Sequence, residues 1–292
     1  MNVRSRYPVP FVKWAGGKSQ ILPQITMALP EKLGRYYEPF VGGGAVFFSL
    51  RPTNSTISDA NFELINAYRV IRDDLRGLLK EIGNLQKLRI SRTLYNKFRD
   101  MDPETLTSHK RAARFIFLNK TCYNGLYRVN RNGKFNVPFG KYRRMPRLCD
   151  ENNLREIQSL LQNTELVFSN YEVPLRRAKA GDFIYLDPPY SPEPETTGFV
   201  SYTKKSFSAS DQTRLASKFK ELHRRGCLIM LSNSDTKLVR ELYSEFRATS
   251  LQITAGRMIN CVGSERMGYR ELLVLNYPPP METLAPWVKH PN

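Results

Sequence analysis

Apolar and polar positions along the chain follow two different periods, and the period changes twice. Arg35 to Phe40 reads as a strand running into a turn at Gly42-Gly43-Gly44, and Ala45 to Leu50 then opens an apolar helix. Ser55 to Asp59 is a second short strand. Asn61 follows it as a cap for a helix whose buried stripe is Leu64, Tyr68 and Ile71. This β-α-β-α opening predicts a doubly wound, Rossmann-like α/β sheet. From about residue 75 to 157 the pattern is helical, basic and polar. It is broken by a Gly- and Asn-rich stretch, Tyr123 to Tyr142, where Asn132-Gly133 is a hairpin turn pair. Strand and helix alternation then resumes. Glu165 to Ser169, Asp182 to Asp187 and Cys227 to Leu231 read as strands, and Ser250 to Ile253 with Glu271 to Tyr277 as a closing pair. Ser208 and Asp211 form a capping box ahead of Leu215, Phe219 and Leu222 on one helical face. The expected organisation is a discontinuous α/β domain, 1–74 and 158–278, with an inserted, mainly helical domain carrying a β-hairpin at 75–157 and a tail at 279–292. The first ten residues are expected to form a tail as well.

Composition adds one strong fact. The 292 residues include 45 Lys and Arg against 27 Asp and Glu, a formal net charge of +18. That excess predicts attraction to a polyanion and says little about the fold. With 41% hydrophobic residues, a sizeable core is expected. The four cysteines, Cys122, Cys149, Cys227 and Cys261, are widely spaced, with no C-x-x-C and no nearby His pair. Reduced thiols and no metal site are the expectation. The N-terminus has no apolar run behind it and no stretch is long enough to span a bilayer, so a cytoplasmic protein without membrane contact is expected.

Three segments carry candidate chemistry. In Glu38-Pro39-Phe40-Val41-Gly42-Gly43-Gly44, glycines at a strand end let the backbone turn tightly and approach a ligand. Asp59 ends the next strand, where an acid commonly takes the ribose hydroxyls of a nucleoside. Gly17-Lys18-Ser19 imitates a P-loop, but Val12 stands where that motif needs glycine. Lys18 remains a candidate to hold a carboxylate.

The second segment is Phe183-Ile184-Tyr185-Leu186-Asp187-Pro188-Pro189-Tyr190. Two prolines end the ladder and leave carbonyls without partners. Asp187 beside the carbonyl of Pro188 offers two acceptors to the two donors of an amino group, and Tyr190 offers a flat face to a base. Such acceptors localise the lone pair of an exocyclic amine, so that in-line transfer needs positioning and electrostatics but no covalent enzyme intermediate.

In the third, Asn119 to Arg128 runs into Phe135 to Arg144, alternating cations, amides and aromatics on the expected hairpin. These residue types read base edges and fill the gap left by an extruded base.

Taken in order, Lys13-Trp14-Ala15-Gly16-Gly17-Lys18, Glu38 to Gly44, Tyr123-Asn124-Gly125-Leu126-Tyr127-Arg128 with Phe135-Asn136-Val137-Pro138-Phe139-Gly140, and Asp187-Pro188-Pro189-Tyr190 resemble the DNA adenine methyltransferase family, group alpha, over nearly the whole chain. The resemblance implies a Rossmann-like methyltransferase sheet with an inserted target-recognition domain, S-adenosylmethionine as methyl donor, no metal, and double-stranded DNA as substrate. It implies that Trp14, Lys18, Asp59 and Asp187 contact the cofactor, with Phe40, Gly42, Gly44, Phe168 and Ser169 around it. Asp187, Pro188 and Tyr190 would engage the target adenine. Lys13 would touch the first base of the site, Tyr123 and Asn124 would stand near the extruded base, and Leu126, Arg128 and Pro138 would read later base pairs. The implied site is GATC. Lys141 departs from relatives that carry Arg there, and Lys lacks the planar fork. A cognate restriction endonuclease is an implied partner, and a monomer is the expected state. Two other readings stay open on the residues alone: an N4-cytosine methyltransferase, and a non-catalytic DNA-binding protein on the same fold.

Overall fold

The computed structural model describes residues 7–190, 207–255 and 269–280. After a short helix α1 (Leu22–Met27) come β1 (Tyr36–Glu38), α2 (Ala45–Leu50), β2 (Ser55–Asp59) and α3 (Phe62–Asp73). Asn61 caps α3 as the sequence predicts, its side chain accepting the Leu64 N–H at 3.2 Å. The insertion supplies α4 (Leu75–Gln86), α5 (Arg92–Asp100), α6 (Ser108–Thr121) and α7 (Glu151–Leu161). Asp74 ends α3 and caps α4, so one edge of the inserted region is a break between two helices, while residue 157 falls inside α7. The chain then forms β3 (Thr164–Phe168), α8 (Glu172–Leu175), β4 (Phe183–Leu186), α9 (Ala209–Arg224), β5 (Leu228–Ser234), α10 (Lys237–Leu242), β6 (Leu251–Ala255) and β7 (Tyr269–Leu275). The Ser208–Asp211 capping box opens α9, as expected.

The strands make one sheet in the order β3-β2-β1-β4-β5-β7-β6. The first five are parallel, and β7 enters antiparallel between β5 and β6. Strand order reverses between β1 and β4, which makes the carboxyl ends of those two strands the expected place for a ligand. Alternation along each strand feeds two cores. Tyr36, Phe183, Tyr185, Met230, Leu273 and Leu275 join one cluster with α2, α3, α4, α6 and α7. Tyr37, Ile184, Leu186, Ile229, Leu231, Leu272 and Val274 join the other with α9 and α10. The doubly wound reading therefore holds. The inserted helices share the first core: α6 buries Ala112, Ala113 and Phe115 to Leu118 between α3 and α4.

Two expectations need correction. Residues 7–10 are not a tail: the amide of Asn153 brackets Val9, accepting its N–H at 2.8 Å and donating to its carbonyl at 2.9 Å. The hairpin is looser than its sequence suggests. Only two bridges, Cys122 to Phe139 and Val129 to Phe135, join its arms, around a turn in which the Gly133 N–H reaches the Asn130 carbonyl. Of the expected tail at 279–292, residues 281–292 lie outside the described residues.

Candidate active site

The residues singled out in the sequence gather at the carboxyl ends of β2, β1 and β4. The turn after β1 needs its glycines. Gly42 has φ +48°, and a Cβ there would stand 2.6 Å from Cδ1 of Trp14. Gly44 has φ +77°, and its Cβ would meet the Tyr68 hydroxyl at 2.6 Å. That hydroxyl donates to the Gly42 carbonyl at 3.0 Å, so Tyr68 and Trp14 clasp the loop from two sides. Asp59 holds the loop to the end of β2: one carboxylate oxygen accepts the Gly42 N–H at 3.1 Å and the other the Asn61 N–H at 2.9 Å. Burial pushes the Asp59 carboxyl up to about 6, against those backbone donors, which lower it.

Phe40 stacks on Tyr171 and meets the edge of Phe207. Phe168 pairs with Asp59 across β3 and β2, and its ring is 47% exposed beside Phe62, an aromatic face open to a ligand. The Ser169 N–H reaches the Asp59 carbonyl at 3.2 Å, and its hydroxyl donates to the Asn170 carbonyl. These groups lie together at the carboxyl ends of β1, β2 and β3.

On the other side of the switch point, Asp187 follows β4 directly. Lys18 meets it from the segment ahead of α1, with Nζ 2.8 Å from Asp187 Oδ1. The same ammonium donates to the Tyr190 hydroxyl at 2.7 Å and to the Gly16 carbonyl at 2.9 Å. Lys18 is thus paired with a carboxylate of the chain itself. A second is present: Glu271 Oε1 on β7 stands 3.2 Å from Lys18 Nζ and accepts the Tyr190 hydroxyl. Burial pushes both carboxyls up, and the Lys18 charge works against that. For Lys18, burial works downward, but the two carboxylates outweigh it and its pKa ends above the ordinary value. Beneath the site, the Glu38 carboxyl is wholly buried, accepts the Tyr36 hydroxyl at 2.7 Å and is pushed up to about 8. Pro188 is buried and Pro189 exposed.

The expected base-reading residues lie on the sheet face covered by the insertion. Lys13 is tied to it through Asn119 and packs on Gly125, and its Nζ reaches the Tyr142 hydroxyl at 3.2 Å. Trp14 stacks on Tyr127 with ring centroids 5.8 Å apart. Tyr123, Asn124, Leu126, Pro138 and Lys141 are exposed along the loops. Asn124 and Lys141 have left-handed backbones, φ 54° and 57°. The Arg128 guanidinium bonds Asn136 at its side chain and its carbonyl, which braces the hairpin. The structure therefore joins the glycine loop after β1 to the loops of residues 123–142 through Lys13 and Trp14.

Sequence reasoning missed Glu271, the bracketing role of Asn119 and the buried role of Glu38. An acid heading the apolar run Glu271-Leu272-Leu273-Val274-Leu275 was the available signal for Glu271. Among the described residues, no group of three or more His, Cys, Asp or Glu is placed to hold a metal ion, and no helix is long and apolar enough to cross a membrane. Cys122, Cys149 and Cys227 are free thiols.

Known proteins resemble the chain over nearly its whole length. The chain is 43% identical to the Type II methyltransferase M.MjaIII of Methanocaldococcus jannaschii, over 92% of this chain and 99% of that one. It is 40% identical to the Type II methyltransferase M1.LlaDCHI of Lactococcus lactis subsp. cremoris, over 92% and 95%. With the DNA adenine methylase of Escherichia coli K12 it shares 34% identity, over 92% and 95%. The profile of one family spans residues 14–257, from the tryptophan on the glycine loop to beyond β6. The N4-cytosine and non-catalytic readings give way to it: the chain belongs to the D12 class of N6 adenine-specific DNA methyltransferases.

Proposed function

We propose that the protein transfers the methyl group of S-adenosylmethionine to N6 of an adenine flipped out of duplex DNA, within GATC. The observation that carries this reading is Asp187 at the end of β4, across the switch point from the glycine loop after β1, with Tyr190 bound to the same buried lysine. These strand ends suit the cofactor: backbone approach at Gly42 and Gly44, a carboxylate at Asp59 whose oxygens each carry one backbone donor, and an open aromatic face at Phe168. Trp14, Lys18, Phe40, Gly42, Gly44, Asp59, Phe168, Ser169 and Asp187 would hold it. Bound there, it supplies an electrophilic methyl group on a sulfonium.

The chain's own part is to bind, orient and polarise. The Asp187 carboxylate and the Pro188 carbonyl accept the two N–H bonds of the adenine amino group and localise its lone pair on N6. Tyr190, its hydroxyl fixed by Lys18 and Glu271, offers its ring to the base. Such preorganised acceptors lower the barrier without a covalent intermediate. A base inside a duplex is out of reach, so it must be extruded. The inserted region, 75–157, serves as the target-recognition domain. Lys13, Tyr123, Asn124, Leu126, Arg128, Pro138 and Lys141 contact the DNA, and the basic surface binds phosphates. The protein works in the cytoplasm. The Type II names of two relatives support a partner endonuclease for the same site.

The test incubates purified protein with unmethylated plasmid and S-adenosylmethionine, then digests with endonucleases that cut GATC only when its adenine is methylated or only when it is not. A switched cutting pattern, lost in Asp187→Ala, is the expected result. N6-methyladenine without a switch would refute GATC alone.

A further inference from the structure

Lys18, Asp187, Tyr190 and Glu271 meet at one buried point, and the proposed reaction gives Glu271 no part beyond holding a hydroxyl. Alternation along β7 puts Glu271 on the face of Leu273 and Leu275, and alternation along β4 puts Asp187 on the face of Phe183 and Tyr185. Both are the face on which Lys18 lies. The ammonium stands 2.8 Å from Asp187 Oδ1 and 3.2 Å from Glu271 Oε1. The Tyr190 hydroxyl accepts from Lys18 and donates to that same Glu271 oxygen, a second link between them. The side chains of Lys18 and Glu271 are 5% and 6% exposed, while Asp187, at 19%, is the member open to a substrate.

Two carboxylates and one ammonium sum to a net charge of −1. Net charge is costly at such burial, so uptake of one proton relieves the cluster. Methylation releases one. The bond from N6 to the methyl carbon forms from the nitrogen lone pair as the carbon–sulfur bond breaks, and the sulfur keeps that bond's electron pair. N6 is left with a positive charge and one proton too many.

We propose that Glu271 is a positioning residue that shares the Lys18 cation with Asp187 and receives, through Lys18, the proton that N6 loses. Sharing matters because a carboxylate fully engaged by Lys18 is a poorer acceptor for the adenine amine. Asp187 takes the N6 proton. Lys18 passes one of its own to the Tyr190 hydroxyl, which hands its proton on to Glu271, and Lys18 takes the one on Asp187. Asp187 ends as carboxylate, Lys18 as ammonium and Glu271 as neutral acid; the proton returns to solvent before the next turnover. No further reactant is required. The other described titratable groups nearby are Tyr185 on β4, whose buried hydroxyl has no hydrogen-bond partner, and Glu38 on β1. Neither carries a positive charge that could replace Lys18 as the link.

The inference rests on the proposed reaction, and the test separates the two. Single-turnover methylation of a GATC duplex is measured against pH at saturating S-adenosylmethionine, with cofactor and DNA affinities measured alongside. The wild type should lose rate on the acid side along a one-proton limb, as the cluster fills beforehand. Glu271→Gln should lower the plateau by about 100-fold, the lower end of general-base contributions. Its limb should move to lower pH, because Asp187 then has Lys18 to itself, while affinities hold. Glu271→Asp should restore the limb and part of the rate. A Gln variant with the wild-type plateau and limb would overturn the proposal. So would equal losses of rate and affinity in both variants, which would mark a structural role. A wild-type profile with no acid limb would overturn it without any variant. A wild type that methylates no adenine would bring down the proposed reaction itself, and this inference with it.

Discussion

The side-chain amide of Asn119 brackets the backbone of Lys13: its oxygen accepts the Lys13 N–H and its nitrogen donates to the Lys13 carbonyl, both at 2.8 Å. The same nitrogen reaches the Gly125 carbonyl at 3.1 Å, and Asn119 is buried. One side chain at the end of α6 thus joins the strap that carries Lys13, Trp14 and Lys18 to the turn that carries Tyr123 and Asn124. Asn119→Ala would strip partners from two backbone carbonyls and an N–H, of which the Gly125 carbonyl bond is buried and the Lys13 pair part-buried, a cost of about 1–3 kcal/mol. Denaturant unfolding should show that loss. Binding should also lose discrimination between GATC and a site altered at one base, because the reader is no longer in register with Lys13. A variant that is destabilised but discriminates as well as wild type would show that Asn119 is a packing residue only.

Gly42 tests the cofactor loop. Its φ of +48° and the 2.6 Å approach of Trp14 to its missing Cβ leave no room for a side chain. Gly42→Ala should displace Trp14 and weaken S-adenosylmethionine binding by about tenfold or more, the equivalent of about 1.4 kcal/mol. Gly83 in α4 is the contrast, since a Cβ there meets nothing within 4 Å. Gly83→Ala should leave cofactor affinity alone and raise stability by up to about 1 kcal/mol through helix propensity. Calorimetric titration of both variants decides it. Equal affinities would remove the loop from the cofactor site.

What the sequence made legible was local. Asp187-Pro188-Pro189-Tyr190 declares itself because an apolar strand, its stop and its chemistry are contiguous. The glycine loop and Asp59 declare themselves because both are strand ends in the first β-α-β unit. Glu271 did not, since its meaning depends on β7 entering antiparallel beside β5 and bringing Glu271 to Lys18. The same pairing carries β5 through Ser232, Asn233 and Ser234, polar residues that ended the strand too early in the sequence reading. Asn119 was visible as an amide among cations and aromatics, but a bracket around a backbone far along the chain has no sequence period. The loose hairpin was misjudged for a related reason: turn chemistry at Asn132-Gly133 fixes the reversal, while Phe135, Val137 and Tyr127 are held by the core rather than by a ladder.

If Asp59 holds the ribose of the cofactor as proposed, binding should depend on pH. To accept from ribose hydroxyls as well as from Gly42 and Asn61 it must be ionised, and burial sets its pKa at about 6. The dissociation constant of S-adenosylmethionine should be flat above that value. Below it, the constant should rise by about tenfold per pH unit, as the neutral acid loses the charge that attracts the hydroxyl donors. Asp59→Asn should bind more weakly throughout and show no such rise. If wild-type affinity holds steady well below pH 6, Asp59 is a tether for the loop and not a ligand of the ribose.

Glu38 should appear in the pH dependence of stability instead. Its pKa is raised from an ordinary 4.5 to about 8, so between those values the folded chain keeps a proton that the unfolded chain releases. The unfolded state then binds fewer protons, and stability falls as pH rises. The contribution is fully present below about 4.5, is lost progressively toward about 8, and is level above it. The full span corresponds to about 3–5 kcal/mol. Asp59 slopes the same way but is finished near pH 6, and Asp187 and Glu271, which burial also raises, slope the same way, so the Glu38 share is read from the difference between wild type and variant. Glu38→Gln keeps an acceptor for the Tyr36 hydroxyl and cannot ionise. Urea unfolding of wild type and variant across this range should give a difference that grows with pH in the variant's favour. Parallel curves would mean that Glu38 is charged in the folded protein, with its charge balanced by a group other than Tyr36.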